Sequence, residues 1–268
     1  MTQGLPQWLD HSFEFLVLAF LVVFVVGCGY NETPVCPDVE NNDDGLVQFD
    51  ELLNADDFIM AADALARDFR CEEGLPKLDH VGVLVPDVED AVDSLESDNG
   101  FKRFFVAKAS LRSWIENGLS VDFTGENGYG GFKGLFVEIV SPGGPSTFYL
   151  DDLDPTGRVV QHVGFLVSDP DAWATRLESG EGSGAVYERI VEGRIELARG
   201  LITRIDFVYI DTLDETGYYI EFSKWSILFG LIETEPMPAL FHLIGALQVA
   251  VRPIFGTRSL NVDAIPFL

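Results

Sequence analysis

The sequence predicts an α+β fold built from two copies of one β-α-β-β-β module. Two similar strand segments, LDHVGVLVPD and VQHVGFLVSD, carry His80 and His162, which are 82 positions apart. A glutamate within a later apolar run also recurs, as Glu138 in LFVEIV and as Glu221 in YYIEF. An internal repeat of this size indicates a duplicated structural unit.

A helix is predicted after the first strand of each copy. In the first copy Asp87 is the expected N-cap, and in the second Asp169 is the cap and Pro170 the first helical residue. Apolar residues then recur at the spacing of one helix face. In the first copy they are Val88, Ala91, Val92 and Leu95, and in the second Trp173 and Leu177.

Three strand-like runs complete each module, which spans residues 78–142 in the first copy and 160–225 in the second. The runs are RFFVA, LSVDF and LFVEIV in the first copy, and VYERIV, IDFVYI and YYIEF in the second. The glycine-rich stretch Gly125–Gly131 is interpreted as a loop between strands. An acidic connector that begins with PGGP links the two modules.

The repeated histidines and glutamates predict a metal site. A carboxylate in the middle of an apolar strand is costly to bury unless a cation or strong donors compensate it. His80 and His162 each lie in the opening apolar strand of a copy, where a neutral imidazole can offer a nitrogen to a metal. Together with Glu138 and Glu221 they form a ligand set that suits Zn, Ni, Co, Mn or Fe(II).

These motifs resemble the vicinal oxygen chelate superfamily, which includes glyoxalases, methylmalonyl-CoA epimerases, bleomycin-resistance proteins and extradiol dioxygenases. Over residues 78–225 the resemblance implies a glyoxalase-like domain, in which two paired βαβββ modules form a cupped mixed sheet around a divalent metal. It implies His80, Glu138, His162 and Glu221 as metal ligands. The implied chemistry is that of an isomerase or lyase, in which Glu138 or Glu221 moves a proton and the metal stabilises an enediolate.

Two other functions are compatible with this resemblance. His80, His162 and Glu221 alone would suffice for an extradiol-type Fe(II) dioxygenase, but that reaction usually needs a further acid-base histidine. The remaining histidines, His11 and His242, lie outside the repeat. A non-catalytic protein that binds a small ligand is the third hypothesis, although a full ligand set disfavours it.

Composition limits the partners of the chain. It has 44 acidic and 17 basic residues and a formal net charge of -27, so nucleic-acid binding is not expected. The expected partner is a small substrate with a carbonyl or hydroxy-carbonyl oxygen. The acidic surface also favours bound divalent cations.

The N-terminus resembles a bacterial lipoprotein signal over residues 1–27. Its apolar run, Phe15–Gly27, is too short to span a bilayer but has the length of a signal-peptide core. The sequence Val-Val-Gly before Cys28 resembles a lipobox, which implies lipidation of Cys28 and an extracytoplasmic, membrane-anchored protein. No basic residue precedes Arg67, which favours the alternative of a buried or interfacial hydrophobic helix in a cytoplasmic protein.

The acidic segment 28–77 contains a stretch, ENNDDGLVQFDE, that resembles an EF-hand calcium loop. Its expected calcium ligands are Glu40, Asn42, Asp44, Gln48 and Glu51. A helix is expected from Glu51 to Arg70, and an acidic turn that caps this helix is the alternative to a calcium site. Cys36 and Cys71 either form a disulfide, as an exported protein permits, or remain free thiols.

The apolar tail, residues 226–268, is expected to pack against the barrel or against a second copy of the chain. Its most apolar stretch, Ala239–Val251, is too short to span a bilayer. Contact with a membrane surface is the alternative.

Overall fold

The predicted α+β fold is confirmed in a computed structural model of the chain. The structure describes residues 47–110, 113–144, 146–197, 203–227, 231–233 and 238–255. Its helices are α1 (Phe49–Leu53), α2 (Phe58–Ala64), α3 (Arg67–Glu73), α4 (Val88–Asp98), α5 (Pro170–Glu178), α6 (Leu213–Thr216) and α7 (Pro238–Phe255). Its strands are β1 (Leu78–Leu84), β2 (Phe105–Ser110), β3 (Ser113–Glu116), β4 (Leu119–Ser120), β5 (Thr124–Phe132), β6 (Leu135–Gly143), β7 (Val159–Leu166), β8 (Glu188–Leu197), β9 (Thr203–Asp211), β10 (Tyr219–Ile227) and β11 (Ile232–Glu233).

These strands form one mixed sheet. Its order is β2-β5-β6-β1-β7-β10-β9-β8-β3-β4, and β11 pairs with β10. The first and last strands of each module are parallel neighbours, β1 with β6 and β7 with β10. The modules meet where β1 and β7 pair antiparallel, so the four strands that carry the repeated histidines and glutamates are adjacent at the centre.

The sheet curls because one stretch of chain belongs to both of its ends. β2 pairs with β5 at one end, whereas β3, which follows after residues 111–112, pairs with β8 at the other. Three peptide units span at most about 11 Å. The two ends of the sheet must therefore lie close together, and the inner face is enclosed.

The two faces of the sheet have different roles. Helices α4 and α5 pack against the outer face, where an apolar core includes Val83, Val163 and Phe222. Both predicted helix caps are confirmed, because Asp87 accepts from the backbone N–H of Asp90 and Asp169 from that of Ala172. A second, more aromatic cluster fills the inner face.

The interpretation of Gly125–Gly131 as a loop is wrong. These residues lie within β5, which pairs with β2 and β6, while LSVDF contributes only the short β4 and three residues outside any strand. The glycines are needed for close packing. A Cβ on Gly130 would lie 2.6 Å from the ring of Phe104, and one on Gly128 would lie 3.0 Å from Val92 on α4. Glycine lowers β-propensity and so hides the strand from the sequence pattern.

The single helix expected from Glu51 to Arg70 is instead three short helices, α1 to α3. Asp57 interrupts the helical run and caps α2 by accepting from the N–H of Met60. Helix α3 ends at Gly74, which has a left-handed conformation with φ of 65°. The breaks let Phe49, Phe58 and Phe69 all reach the outer core.

The C-terminal helix α7 packs against β2 and β5 of the same chain. Packing against the barrel was one of the expectations for the tail. Gly245 allows the close approach, since a Cβ there would lie 2.0 Å from the carbonyl oxygen of Phe104. The Gln248 amide accepts from Val106 N–H at 2.9 Å and donates to Val106 C=O at 2.6 Å, as a neighbouring strand would. Helix α7 thus covers the edge of β2. None of the helices in the described ranges is long and apolar enough to cross a membrane.

Replacing Gln248 with alanine should therefore destabilise the fold by about 1–3 kcal/mol, because it leaves the buried amide groups of Val106 unpaired. The free energy of unfolding in urea measures this effect. Leu243→Ala is the control on the same helix, since Leu243 is partly exposed and its truncation should cost less. Equal stability of Gln248→Ala and the wild type would contradict the role of Gln248.

Candidate metal centre

The structure brings the four repeated residues together on the inner face. His80 on β1, Glu138 on β6, His162 on β7 and Glu221 on β10 each offer an atom within 4.8 Å of the others. All four side chains are buried, with at most 7% of any residue exposed. A buried group of two imidazoles and two carboxylates could bind a divalent metal.

Two glycines make room for the histidine rings. Gly164 pairs with His80 across β1 and β7, and Gly82 pairs with His162. A Cβ on Gly82 would lie 1.8 Å from Cε1 of His162, and one on Gly164 would lie 1.9 Å from Cε1 of His80. The His-Val-Gly motifs of the two modules therefore pack against each other, and the glycine of each module makes room for the histidine of the other.

Each histidine is oriented by the residue that precedes it. His80 donates from Nδ1 to Asp79 at 3.0 Å, because a carboxylate can only accept. His162 donates from Nδ1 to the Gln161 amide oxygen at 2.8 Å, while the Gln161 amide nitrogen donates to Asp152. Both Nε2 atoms therefore face the glutamates, in the arrangement that metal-binding histidines usually show.

The distances at Nε2 require a proton or a metal ion between the facing atoms. His80 Nε2 lies 3.0 Å from Glu221 Oε2, and His162 Nε2 lies 3.2 Å from the same oxygen and 3.5 Å from Glu138 Oε2. A neutral ring that donates from Nδ1 has only a lone pair at Nε2, which a carboxylate oxygen repels. Either a second proton on the ring or a metal ion between the atoms removes this repulsion, so the residues present fit a divalent metal.

The pKa shifts of the two histidines and of Glu221 arise from these same close contacts. Burial lowers the pKa of His80, but Glu221 and Asp79 outweigh it and raise the pKa well above its ordinary value. The pKa of His162 is also raised, since hydrogen bonds to Glu138 and Glu221 outweigh burial. Burial raises the pKa of Glu221, but the two histidines lower it further than burial raises it. Without a metal the site attracts protons, so metal binding must displace them and is favoured as the pH rises.

The two glutamates are held differently. Glu221 Oε2 contacts both histidines and accepts from the Tyr209 hydroxyl at 3.1 Å, so one oxygen has three partners. Glu138 Oε1 accepts from Asn127 Nδ2 at 2.8 Å, its Oε2 lies 3.5 Å from His162 Nε2, and the Tyr129 hydroxyl is buried nearby. Glu221 is therefore the more rigidly fixed of the two.

Aromatic side chains close the space above the four residues. The Glu116 carboxylate accepts from the side chains of Trp114, Ser146 and Thr147, which fixes the segment that follows β6. This segment carries Tyr149 over the site, where its hydroxyl lies 2.9 Å from that of Tyr209. The hydrogen bonds of Glu116 outweigh its burial and lower its pKa, so it remains a charged anchor.

The remaining cavity is small, about 20 Å³, which is room for about one water. No lysine or arginine is among its described lining residues. They are His80, Trp114, Phe123, Asn127, Tyr129, Phe136, Glu138, Tyr149, Ile195, Ile205, Phe207, Tyr209, Glu221 and Trp225.

Several residues of the site were not predicted from the sequence. The glycines and the residues before the histidines have a sequence signal, since His-Val-Gly and a polar residue before it occur in both copies. Tyr129 and Tyr209 are also a repeated pair, because they face Glu138 and Glu221 across neighbouring strands. Asn127 has no such signal. Its counterpart two residues before Tyr209 is Phe207.

The predicted calcium loop and lipidation site are largely outside the described residues, which begin at Val47. Cys28, Glu40, Asn42 and Asp44 belong to the part not described, and the calcium site stays a prediction. Gln48 forms a bridge with Val159, and Glu51 is exposed on α1. Cys71 is disulfide-bonded, and Cys28 and Cys36 are the only other cysteines of the sequence.

No protein-family model and no curated protein matches the chain. Similar solved structures include methylmalonyl-CoA epimerase from Mycobacterium tuberculosis, with 21% identity over 55% of this chain and 85% of that chain and a TM-score of 0.35. A variant of the Streptomyces coelicolor methylmalonyl-CoA epimerase in complex with 2-nitronate-propionyl-CoA has 18% identity over 60% of this chain and 99% of that chain, with a TM-score of 0.35.

Replacing Gly82 with alanine should displace the His162 ring and lower the affinity for Zn²⁺ or Co²⁺ at least about tenfold, by analogy with changes that disturb metal-ligand orientation. Metal content after dialysis measures the effect. Val83→Ala is the matched control, because Val83 is the next residue of β1 and lies on the outer face. It should lower stability but leave the metal in place. A Gly82→Ala protein that binds as much metal as the wild type would contradict the reciprocal packing.

Proposed function

We propose that this protein is a divalent-metal-dependent enzyme of the vicinal oxygen chelate superfamily, of isomerase or lyase type. One observation carries the proposal: two modules each supply one histidine and one glutamate to a single buried group whose four ligand atoms lie within 4.8 Å. The proposed substrate is small and bears a carbonyl or hydroxy-carbonyl group.

The four side chains would hold the metal with His80 Nε2, His162 Nε2 and one oxygen each of Glu138 and Glu221. A bound divalent ion supplies Lewis-acid stabilisation of negative charge on a substrate oxygen. Asp79 and Gln161 keep both imidazoles turned toward the site through their Nδ1 hydrogen bonds. The aromatic wall excludes water, which strengthens each electrostatic contact inside.

Of the two candidate bases, Glu138 is better suited to move a proton. Glu221 Oε2 is engaged by three groups, so its release would break several contacts. Glu138 Oε2 is held less closely, since its contact with His162 Nε2 is 3.5 Å long. In the proposed reaction Glu138 takes a proton from the carbon next to the substrate carbonyl and returns it to the substrate, while Asn127 holds its second oxygen.

The dioxygenase alternative gains no support from the described residues. It usually needs a further acid-base histidine, and His242 instead accepts a hydrogen bond from the backbone N–H of Arg103 and is not among the described residues that line the cavity. A binding protein without catalysis needs the two carboxylates only to balance the ion, whereas the isomerase or lyase reaction also uses one of them as a base. The isomerase or lyase hypothesis accounts for both.

Elemental analysis of the purified protein tests the proposal, with about one divalent ion per chain expected. Glu221→Gln should lower metal affinity at least about tenfold, whereas Glu138→Gln should lower it less, because fewer contacts hold Glu138. Glu188→Gln, a change at an exposed position on β8, is the matched control and should retain the metal. Wild-type protein without metal, or a Glu221→Gln variant with the same affinity as the wild type, would refute the proposed function.

We further propose that the chain is exported and anchored by a lipid on Cys28. The disulfide at Cys71 supports an oxidising compartment, and lipidation of Cys28 leaves Cys36 as its partner. In a bacterial host, Cys28→Ala should move the protein from the membrane fraction to the soluble fraction. Cys36→Ala is the control, which should stay in the membrane fraction and release a free thiol at Cys71. A Cys28–Cys71 disulfide in the non-reduced peptide map would exclude the anchor.

A further inference from the structure

The two halves of the metal centre differ at their tyrosines. The Tyr209 hydroxyl donates to Glu221 at 3.1 Å and meets the Tyr149 hydroxyl at 2.9 Å. Burial and the neighbouring Glu138 carboxylate raise the pKa of the Tyr129 hydroxyl, but no hydrogen bond of ordinary distance and angle joins this hydroxyl to a described residue. The tyrosine hydroxyl of the second module therefore has hydrogen-bond partners, whereas the tyrosine hydroxyl of the first module remains available to donate to a ligand.

Two other buried polar atoms of the same cavity lack partners in the described part of the chain. They are Nε1 of Trp225 and Oδ1 of Asn127. The Asn127 amide nitrogen is engaged by Glu138, which leaves its oxygen as an acceptor. The rings of Tyr129 and Trp225 meet edge to face, with centroids 6.0 Å apart. Buried polar groups nearly always have partners, so three orphans around one cavity indicate the groups of a ligand.

The charge of the site favours uncharged ligands over anionic ones. Two carboxylates balance the charge of one divalent ion, and no described residue that lines the cavity is a lysine or arginine. An anionic substrate would therefore leave a net negative charge in a buried, low-dielectric space, which is costly. The net charge of -27 also opposes the approach of anions from solution.

We propose that Tyr129, Trp225 and Asn127 form the substrate subsite, and that the substrate is a small uncharged hydroxy-carbonyl compound. Its carbonyl oxygen accepts from the Tyr129 hydroxyl and the Trp225 N–H, and its hydroxyl donates to Asn127 Oδ1. This inference rests on the proposed function and narrows it, because it excludes carboxylate substrates and phosphate-bearing thioesters. Tyr149 covers the small cavity, so a ligand of several atoms enters when the segment that carries Tyr149 shifts.

The test uses hydroxyacetone and lactate, two probes of similar size of which only lactate is anionic. Their binding to the metal-loaded full chain is measured by calorimetry, and metal content is determined on the same samples. The wild type should bind hydroxyacetone at least tenfold more tightly than lactate. Tyr129→Phe and Trp225→Phe each remove one donor and should weaken hydroxyacetone binding about three- to tenfold without loss of metal.

Matched controls separate recognition from folding. Tyr187→Phe and Trp173→Phe alter the same residue types in the outer core, away from the cavity, and should bind hydroxyacetone as the wild type does. If the wild type holds no metal, the proposed function itself fails and the subsite falls with it. If metal is bound but lactate binds as tightly as hydroxyacetone, or if neither probe binds, the subsite alone is refuted. Unchanged hydroxyacetone binding in Tyr129→Phe and Trp225→Phe would refute it as well.

Discussion

The candidate metal centre depends on the packing of each histidine against a glycine of the opposite module. β1 and β7 lie at ordinary sheet spacing, and an imidazole fits over the neighbouring strand only where that strand has no side chain. Gly82 and Gly164 provide these gaps on the inner face. Once the rings are seated, their Nδ1 atoms reach Asp79 and Gln161, and both Nε2 atoms turn toward the glutamates on the flanking strands. The positions of the four ligands thus follow from one pairing register.

The symmetry of the duplication is kept at the ligands and lost around them. Glu138 and Glu221 each face a tyrosine across the adjacent strand, but Tyr149 from the connecting segment engages only Tyr209. Asn127 has Phe207 in the corresponding place of the second module. A site with two equivalent halves would bind a ligand in two orientations with equal energy. The differences between the two halves at these residues therefore favour one orientation of a bound ligand.

The four strands that carry the repeated histidines and glutamates were well predicted from the sequence. Their residues alternate between the two faces of the sheet, and the same pattern occurs in both copies of the repeat. His80 and His162 open their copies, and the glutamates interrupt strands that are otherwise apolar, so local sequence reports their environment. Strand β5 was missed because its glycines are explained by contacts with Phe104 and Val92. Both residues belong to other elements of the fold, so the local sequence pattern around the glycines does not report these contacts. The anchor role of Glu116 was equally invisible, since its partners Ser146 and Thr147 lie some thirty positions away on a loop without a repeat.

The β3–β4 hairpin has a consequence for how such a protein could have arisen. In a bare duplication each module needs only its own strands and the junction between β1 and β7. Here the first module also lends β3 to β8 of the second, so the second module does not complete its own edge. The two halves are therefore no longer interchangeable building blocks. Loss of the second module would therefore leave β3 without the strand it pairs with.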